Sequence, residues 1–260
     1  MPAECAVNPR MPRELRYGDL PCDMGHHSVV VVGGGPSGMM AAKTLAERGS
    51  KVTLLDRGDT LGGIVHQAKL PPLKERMEWV MDYYRAAFEK LGVEVRLNTE
   101  ATADLVAELK PDAVIVGTGS RSVIPGKIPG IHGSNVYTVE QVLGGGADLS
   151  GKAVIVIGAG ITGIETAEYL AARKAQVTVA DLLDQVAPNA NHTNVGDICG
   201  RLAQYGTKYL LGHALKEVRE GSVVLEKQAD HSEVTVSTDA VVMSLGYRPD
   251  TALAEELKSR

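Results

Sequence analysis

The sequence predicts an α/β fold in which one strand–turn–helix–strand unit is used twice, and three observations predict it. Residues 29–56, VVVVGGGPSGMMAAKTLAERGSKVTLLD, recur as residues 154–181, VIVIGAGITGIETAEYLAARKAQVTVAD. Each copy opens on a short apolar run, as a parallel strand buried on both faces requires. Glycine is plentiful, at 29 residues, while aromatics are only 4%, which suits a sheet whose turns a ligand approaches closely.

Taken in chain order, residues 1–27 come first: CAVNPRMPRELRYGDLPCDMGHH (residues 5–27) is polar, broken by proline and without an apolar period. It reads as an extended connector. His26 and His27 carry no assigned role. The valines before Gly33 and Val154–Ile157 before Gly158 then form the strands. Gly33, Gly35, Gly38, Ala42 and Asp56 recur as Gly158, Gly160, Gly163, Ala167 and Asp181, each 125 residues on. In G-x-G-x-x-G the first glycine makes the tight turn and the second lets a pyrophosphate approach the backbone. The third lets helix pack on strand, and the alanine one turn later keeps that contact small. The helices, Ser37–Arg48 and Thr162–Arg173, then offer N-terminal N–H groups and a partial positive charge to phosphate. Each following strand ends on an acid able to accept from the two hydroxyls of an adenosine ribose. The predicted fold class is therefore two Rossmann-like dinucleotide-binding modules in series, the second with a small antiparallel β-meander. That meander is predicted from Lys216–Arg219, Ser222–Glu226 and Glu233–Ser237, short alternating runs separated by EGS and QADHS. The expected division is 1–27 connector, 28–149 first module, 150–246 second module and 247–260 a return toward the first.

Near Asp181, VADLLDQVAP holds no Arg or Lys to meet a 2′-phosphate, so NADH is favoured over NADPH. Between the modules, Met77, Val80, Met81, Tyr84, Phe88 and Leu91 share one helical face and read as core. Cys199 lies in the same kind of pattern with Val195, Ile198 and Leu202 and reads as a core thiol.

The composition excludes other classes. With a net charge of −5 and no long basic stretch, the chain lacks the means to track nucleic acid. No apolar run approaches the roughly 20 residues that span a bilayer, and the N-terminus lacks the apolar core of a signal peptide. A cytoplasmic protein without a membrane partner is expected. Three cysteines, none in a C-x-x-C pair, make a disulfide framework unexpected.

Two nucleotide modules in series, the second opening G-x-G-x-x-G-x-E through Glu165, resemble the two-dinucleotide-binding flavoprotein superfamily, which carries FAD in its first module and NAD(P)H in its second. DTLGG (Asp59–Gly63) resembles the turn beside the flavin pyrophosphate and ring; DAVIVGTGSRS (Asp112–Ser122) and DAVVMSLGYRPD (Asp239–Asp250) resemble the strand-and-turn segments closing the two modules. The resemblance implies an FAD site at Gly33, Gly35, Pro36, Ser37, Gly38, Asp56, Arg57, Gly62, Gly63, Thr118 and Gly119. It implies a nicotinamide nucleotide site at Gly158, Gly160, Ile161, Thr162, Gly163, Glu165, Asp181 and Gly246. Glu165 is the expected contact near the nicotinamide, the plainer alternative being a solvated acid in the helix's first turn. His66 is near enough to reach a flavin ring, or is an ordinary surface histidine. No cysteine pair follows LGG and none accompanies Cys199, which disfavours a dithiol reductase.

Within the superfamily the chain is similar to the C-terminal half of NADH:flavin oxidoreductases like 2,4-dienoyl-CoA reductase, multidomain relatives of Old Yellow Enzyme with an FMN barrel and a 4Fe-4S cluster. CAVNPR resembles the segment carrying the last cluster ligand, which would be Cys5 in the full-length protein. The resemblance implies hydride transfer from NADH to FAD with no obligatory acid–base residue, and reduction of activated alkenes such as enoyl thioesters on an FMN barrel domain or subunit beyond this chain. The FMN barrel, the other cluster cysteines and the final flavin-binding segment are missing here, so a fragment is expected. Two alternatives are a stand-alone NADH-dependent flavin reductase of the ferredoxin-reductase or NADH-oxidase type, and a non-catalytic module holding adenine nucleotides.

Overall fold

The computed structural model describes residues 25–259 together with Cys5, residues 10–11, 13–18 and 21–22. In chain order the elements begin with α1 (Glu14–Tyr17), β1 (Ser28–Val32), α2 (Pro36–Glu47), β2 (Lys51–Leu55), α3 (Val65–Ala68), α4 (Glu78–Leu91), β3 (Glu94–Arg96), α5 (Ala103–Leu109), β4 (Ala113–Val116) and β5 (Ser120–Ser122). They continue with β6 (Val136–Thr138), α6 (Val139–Leu143), β7 (Ala153–Ile157), α7 (Ile161–Ala172), β8 (Gln176–Asp181), α8 (His192–Gln204) and β9 (Lys208–Leu211). β10 (His213–Arg219), β11 (Ser222–Lys227), β12 (Glu233–Ser237), β13 (Ala240–Met243), β14 (Tyr247–Pro249) and α9 (Ala252–Lys258) complete the chain.

The first compact unit takes the described residues up to Lys69, Lys74–Ser120 and those from Pro249 onward. Its sheet is parallel, in the order β3-β2-β1-β4. The four valines of β1 explain why the strand reads as an unbroken apolar run. Val29 and Val31 face a core built from α2 and α4, with Met39, Ala42, Met81, Tyr84 and Phe88. Val30 and Val32 face the opposite side, where Val106 of α5 and Leu253 and Leu257 of α9 pack. The helical face expected from Met77 to Leu91 is the one α4 buries, with Val80, Met81, Tyr84 and Phe88 at its centre. α4 stops at Gly92 in the left-handed conformation, the usual helix terminator.

The second unit comprises Leu70–Leu73 and Arg121–Arg248. Its sheet runs β6-β13-β7-β8-β9, all parallel. Val154 and Val156 face the helical side with Ile164, Ala167 and Leu202. Ile155 and Ile157 face the antiparallel meander β10-β11-β12, where Val218, Val223 and Leu225 close the core. The repeat extends to register: β1 pairs with β2 as Ser28↔Lys51 through Val32↔Leu55, and β7 pairs with β8 as Ala153↔Gln176 through Ile157↔Ala180.

Two expectations need correction. The division falls at 120/121 rather than 149/150, because β6 hydrogen-bonds to β13 and Val139, Val142 and Leu143 of α6 fill the second core. The opening stretch is not wholly extended: α1 makes a short helix. Its Asn8-Pro9 lies outside the described residues. No helix among the described residues is long and apolar enough to cross a membrane.

Candidate functional site

Both glycine-rich turns sit where a central strand gives way to a helix, and the glycines divide into two kinds. A Cβ on Gly33 would stand 2.2 Å from the Gly117 carbonyl oxygen, and Gly33 has φ +101°. Gly158, at φ +112°, stands in the same relation to Ser244 O, at 2.1 Å. A Cβ on Gly38 would fall 1.8 Å from Gly33 O, and one on Gly163 would fall 1.9 Å from Gly158 O. These four glycines are required by the backbone itself. Gly35 and Gly160 are different: a Cβ on either would meet nothing within 4 Å. The space over the second glycine is open in both units, and that is the space a pyrophosphate needs.

The two helices begin one residue earlier than expected, at Pro36 and Ile161, with Gly35 and Gly160 as caps, which have no side chain to bond the first-turn N–H groups. Elsewhere α5, α6 and α8 have their first-turn N–H groups taken by Thr102, Thr138 and Asn191. The orphan donors of α2 and α7 are thus left for a ligand.

Each acid at the end of the second strand holds its turn in the same way. Gly34 N–H donates to Asp56 Oδ2 at 2.5 Å and Gly58 N–H to Oδ1 at 2.6 Å. Ala159 N–H donates to Asp181 Oδ2 at 2.5 Å and Leu183 N–H to Oδ1 at 2.8 Å. From the other side, Gly62 N–H donates to Gly34 O and Ala187 N–H to Ala159 O, both at 2.9 Å. The residue between the first two glycines is thereby clamped at both its N–H and its C=O. Motif reading missed this clamp, although the 125-residue offset relating Gly62 to Ala187 was available to find it.

In the first unit the structure brings the expected residues together. The Gly62–Gly63 turn lies against the glycine loop: a Cβ on Gly63 would stand 3.0 Å from Gly35 Cα. Gly117 closes the other side, followed by Thr118, whose hydroxyl donates to Asp250 O at 2.7 Å, and Gly119, which accepts from Asp250 N–H at 3.0 Å. Pro36, Ser37 and Arg57 are exposed beside the turn. His66 is not a loose surface residue: half-buried, it donates through Nε2 to Leu61 O at 2.9 Å and so braces the same turn.

In the second unit Thr162 is half-buried, and its carbonyl accepts from the buried Thr166 at 2.7 Å. Glu165 is half-buried and lies beyond the first helical turn, which corrects the plainer expectation for it. Leu182 and Leu183 follow Asp181 and are about half exposed, at 55% and 52%. Gly246, at φ +88°, matches Gly119 at φ +82°, and its carbonyl accepts from Val123 N–H at 2.9 Å. Next to Gly246, burial, with the charge of Glu140 beside it, raises the pKa of Tyr247. Cys199 is half-buried rather than core, taking a 3.8 Å contact from the Tyr209 hydroxyl. None of the three cysteines forms a disulfide. Cys5 is half-buried, and among the described residues no group of three or more His, Cys, Asp or Glu gathers to hold a metal.

Comparison with known proteins agrees with this geometry. The family model described as pyridine nucleotide-disulphide oxidoreductase matches residues 27–259. The chain is 34% identical over 98% of its length to an NADH oxidase of Thermoanaerobacter brockii, covering 39% of that protein. It is 30% identical over 98% of its length to a cinnamate reductase of Clostridium sporogenes, covering 38% of it. A solved structure of 2-naphthoyl-CoA reductase with 2-naphthoyl-CoA superposes with a TM-score of 0.90 at 33% identity, covering 98% of this chain and 38% of that one. Histamine dehydrogenase from Rhizobium sp. 4-9 gives a TM-score of 0.85 at 27% identity, over 99% of this chain and 40% of that one. The chain thus spans about two fifths of the length of these relatives. With two glycine-rich cradles on parallel sheets and a family match across both, the chain belongs to the pyridine nucleotide-disulphide oxidoreductase family.

Proposed function

We propose that this chain is the FAD- and NADH-binding module of a longer oxidoreductase, taking reducing equivalents from NADH to FAD. The observation that carries the reading is the cradle built twice, each with a second glycine open to solvent and a helix N-terminus without a side-chain cap. FAD, when bound, supplies the hydride-accepting chemistry. The chain's own residues hold and orient the nucleotides: Gly35, Ser37, Gly38, Asp56, Gly62, Gly63 and Gly119 in the first cradle, Gly160, Thr162, Gly163, Asp181 and Gly246 in the second. A carboxylate at Asp181 followed by two exposed leucines disfavours a 2′-phosphate, which supports NADH over NADPH.

The similarity to cinnamate reductase and 2-naphthoyl-CoA reductase supports a whole protein that reduces activated alkenes or unsaturated thioesters on a part outside this chain. That part would be an FMN barrel with a 4Fe-4S cluster. The described residues do not by themselves fit such a cluster: no group of three or more His, Cys, Asp or Glu gathers among them, so the remaining ligands would come from elsewhere. The test is direct. The purified chain, supplied with FAD, is expected to show flavin absorbance that bleaches on addition of NADH. A colourless protein that binds only ADP would overturn the reading in favour of a non-catalytic nucleotide module.

A further inference from the structure

An acid at the end of the second strand is expected to meet the adenosine ribose, yet both acids also accept hydrogen bonds from the chain's own backbone. Asp56 and Asp181 each accept two backbone N–H groups, one from the glycine turn and one from the turn just beyond the acid itself. The bonds to the glycine turn are the shorter of each pair, at 2.5 Å against 2.6 and 2.8 Å. Such charge-assisted bonds are among the strong ones. Each carboxylate holds the N–H of the residue between the first two glycines, and the opposite carbonyl of that residue is held by the N–H of Gly62 or Ala187. A glycine-rich turn free to move would have to be ordered at the moment of binding, and ordering costs conformational entropy.

We propose that Asp56 and Asp181 are positioning residues, which set the glycine turn in its nucleotide-receiving shape before nucleotide arrives, separately from any contact with the ribose. The proposal rests on the nucleotide-binding reading of the two cradles. It predicts that removing the carboxylate weakens even a nucleotide with no ribose hydroxyls to contact.

The experiment uses the whole chain carrying Gly35→Val, at a position where an added Cβ meets no neighbour within 4 Å, which leaves nucleotide to the second cradle. It is titrated calorimetrically with ADP and with 2′,3′-dideoxy-ADP. Asp181→Ala is expected to weaken both by about tenfold or more, the scale of losing hydrogen bonds to a charged group. If ADP weakens while the dideoxy form does not, the carboxylate acts on the ribose alone and the proposal falls. A second measurement needs no nucleotide. Amide exchange at Ala159 and Leu183 is expected to quicken about tenfold in Asp181→Ala and to stay unchanged in Asp56→Ala, where Gly34 and Gly58 quicken instead. Equal exchange at Ala159 with and without the Asp181 carboxylate would overturn the proposal. Should the alanine variant fail to fold, Asp181→Asn keeps one acceptor oxygen and is expected to lose protection at one of the two amides; protection kept at both would count against it. If the unsubstituted chain binds neither ADP nor its dideoxy form, the nucleotide reading fails, and exchange still decides the positioning role.

Discussion

Lys43 in α2 and Glu168 in α7 stand at the same place in the repeat, 125 residues apart, and both are buried, at 7% and 1% exposure. One site buries a cation and the other an anion. Lys43 pairs within its own helix with Glu47 at 2.6 Å, and Glu47 also takes Arg10 from the opening stretch. Glu168 instead takes Arg201 from α8, which also bonds Asp197. The backbone frame was repeated while its supports were not: α2 is braced by its own turn and the chain's lead, whereas α7 is fastened to its neighbouring helix. A second contrast lies in the turn that clamps the glycine loop. Gly62–Gly63 in the first unit corresponds to Ala187–Pro188 in the second, and Ala187 is held at φ +41°, a conformation that suits glycine.

The largest effect should come from the buried anion. Arg201→Leu leaves Glu168 in the core without its cation, and about 3–5 kcal/mol of stability is expected to go. Lys43→Leu removes the buried charge itself and leaves Glu47 with Arg10, so its cost in urea denaturation should be well under half of that. Equal costs would erase the contrast between the two supports.

Next come the glycines. Gly33→Ala drives a methyl toward the Gly117 carbonyl at a positive φ, a strain on the order of 1–3 kcal/mol, and should lower Tm. Gly35→Val should leave Tm nearly unchanged and abolish flavin retention, since its side chain enters only the open space. Undiminished flavin binding in Gly35→Val would break the assignment of the first cradle.

Smaller still is the turn. Ala187→Gly is expected to stabilise by about 0.5–1 kcal/mol, relief of the left-handed strain exceeding the added chain entropy. Gly62→Ala should destabilise, because a methyl there would stand 2.8 Å from His66 Nε2 and 2.9 Å from Met81 Cγ. Opposite signs in the two thermal melts would sharpen the comparison.

The smallest effect is a pH dependence. Burial pushes the Glu47 carboxyl up, but Lys43 and Arg10 outweigh it and hold it below 4.5. Its contribution is therefore present above that ordinary value and is lost as pH falls through the lower folded value. Glu47→Gln should flatten this acid-side decline in Tm, while Glu217→Gln, an exposed control on β10, should change it little.

Much of the frame was legible from residues 29–56 and 154–181. The apolar runs, glycine spacing and closing acids correctly placed β1, α2 and β2 and their counterparts β7, α7 and β8, and the alternating runs after Lys216 placed the meander. These features express local requirements: a strand buried on both faces, a backbone at positive φ, a helix cap without a side chain. The local pattern failed where a residue's fate depends on distant partners. Residues 121–149 belong to the second unit because β6 pairs with β13, a strand about a hundred residues later. His66 is claimed by a carbonyl that only the folded turn presents, and Glu168 is buried because Arg201, 33 residues on, packs across from α8.

By itself, then, the sequence determined the repeated cradle, since each part of it is a short-range demand of backbone geometry on residue type. Only the tertiary structure decided which carbonyls crowd Gly33 and Gly158, which acids hold the turns, and which charges are paired in the core. Those outcomes depend on long-range strand and helix pairing, and no short window of sequence encodes it.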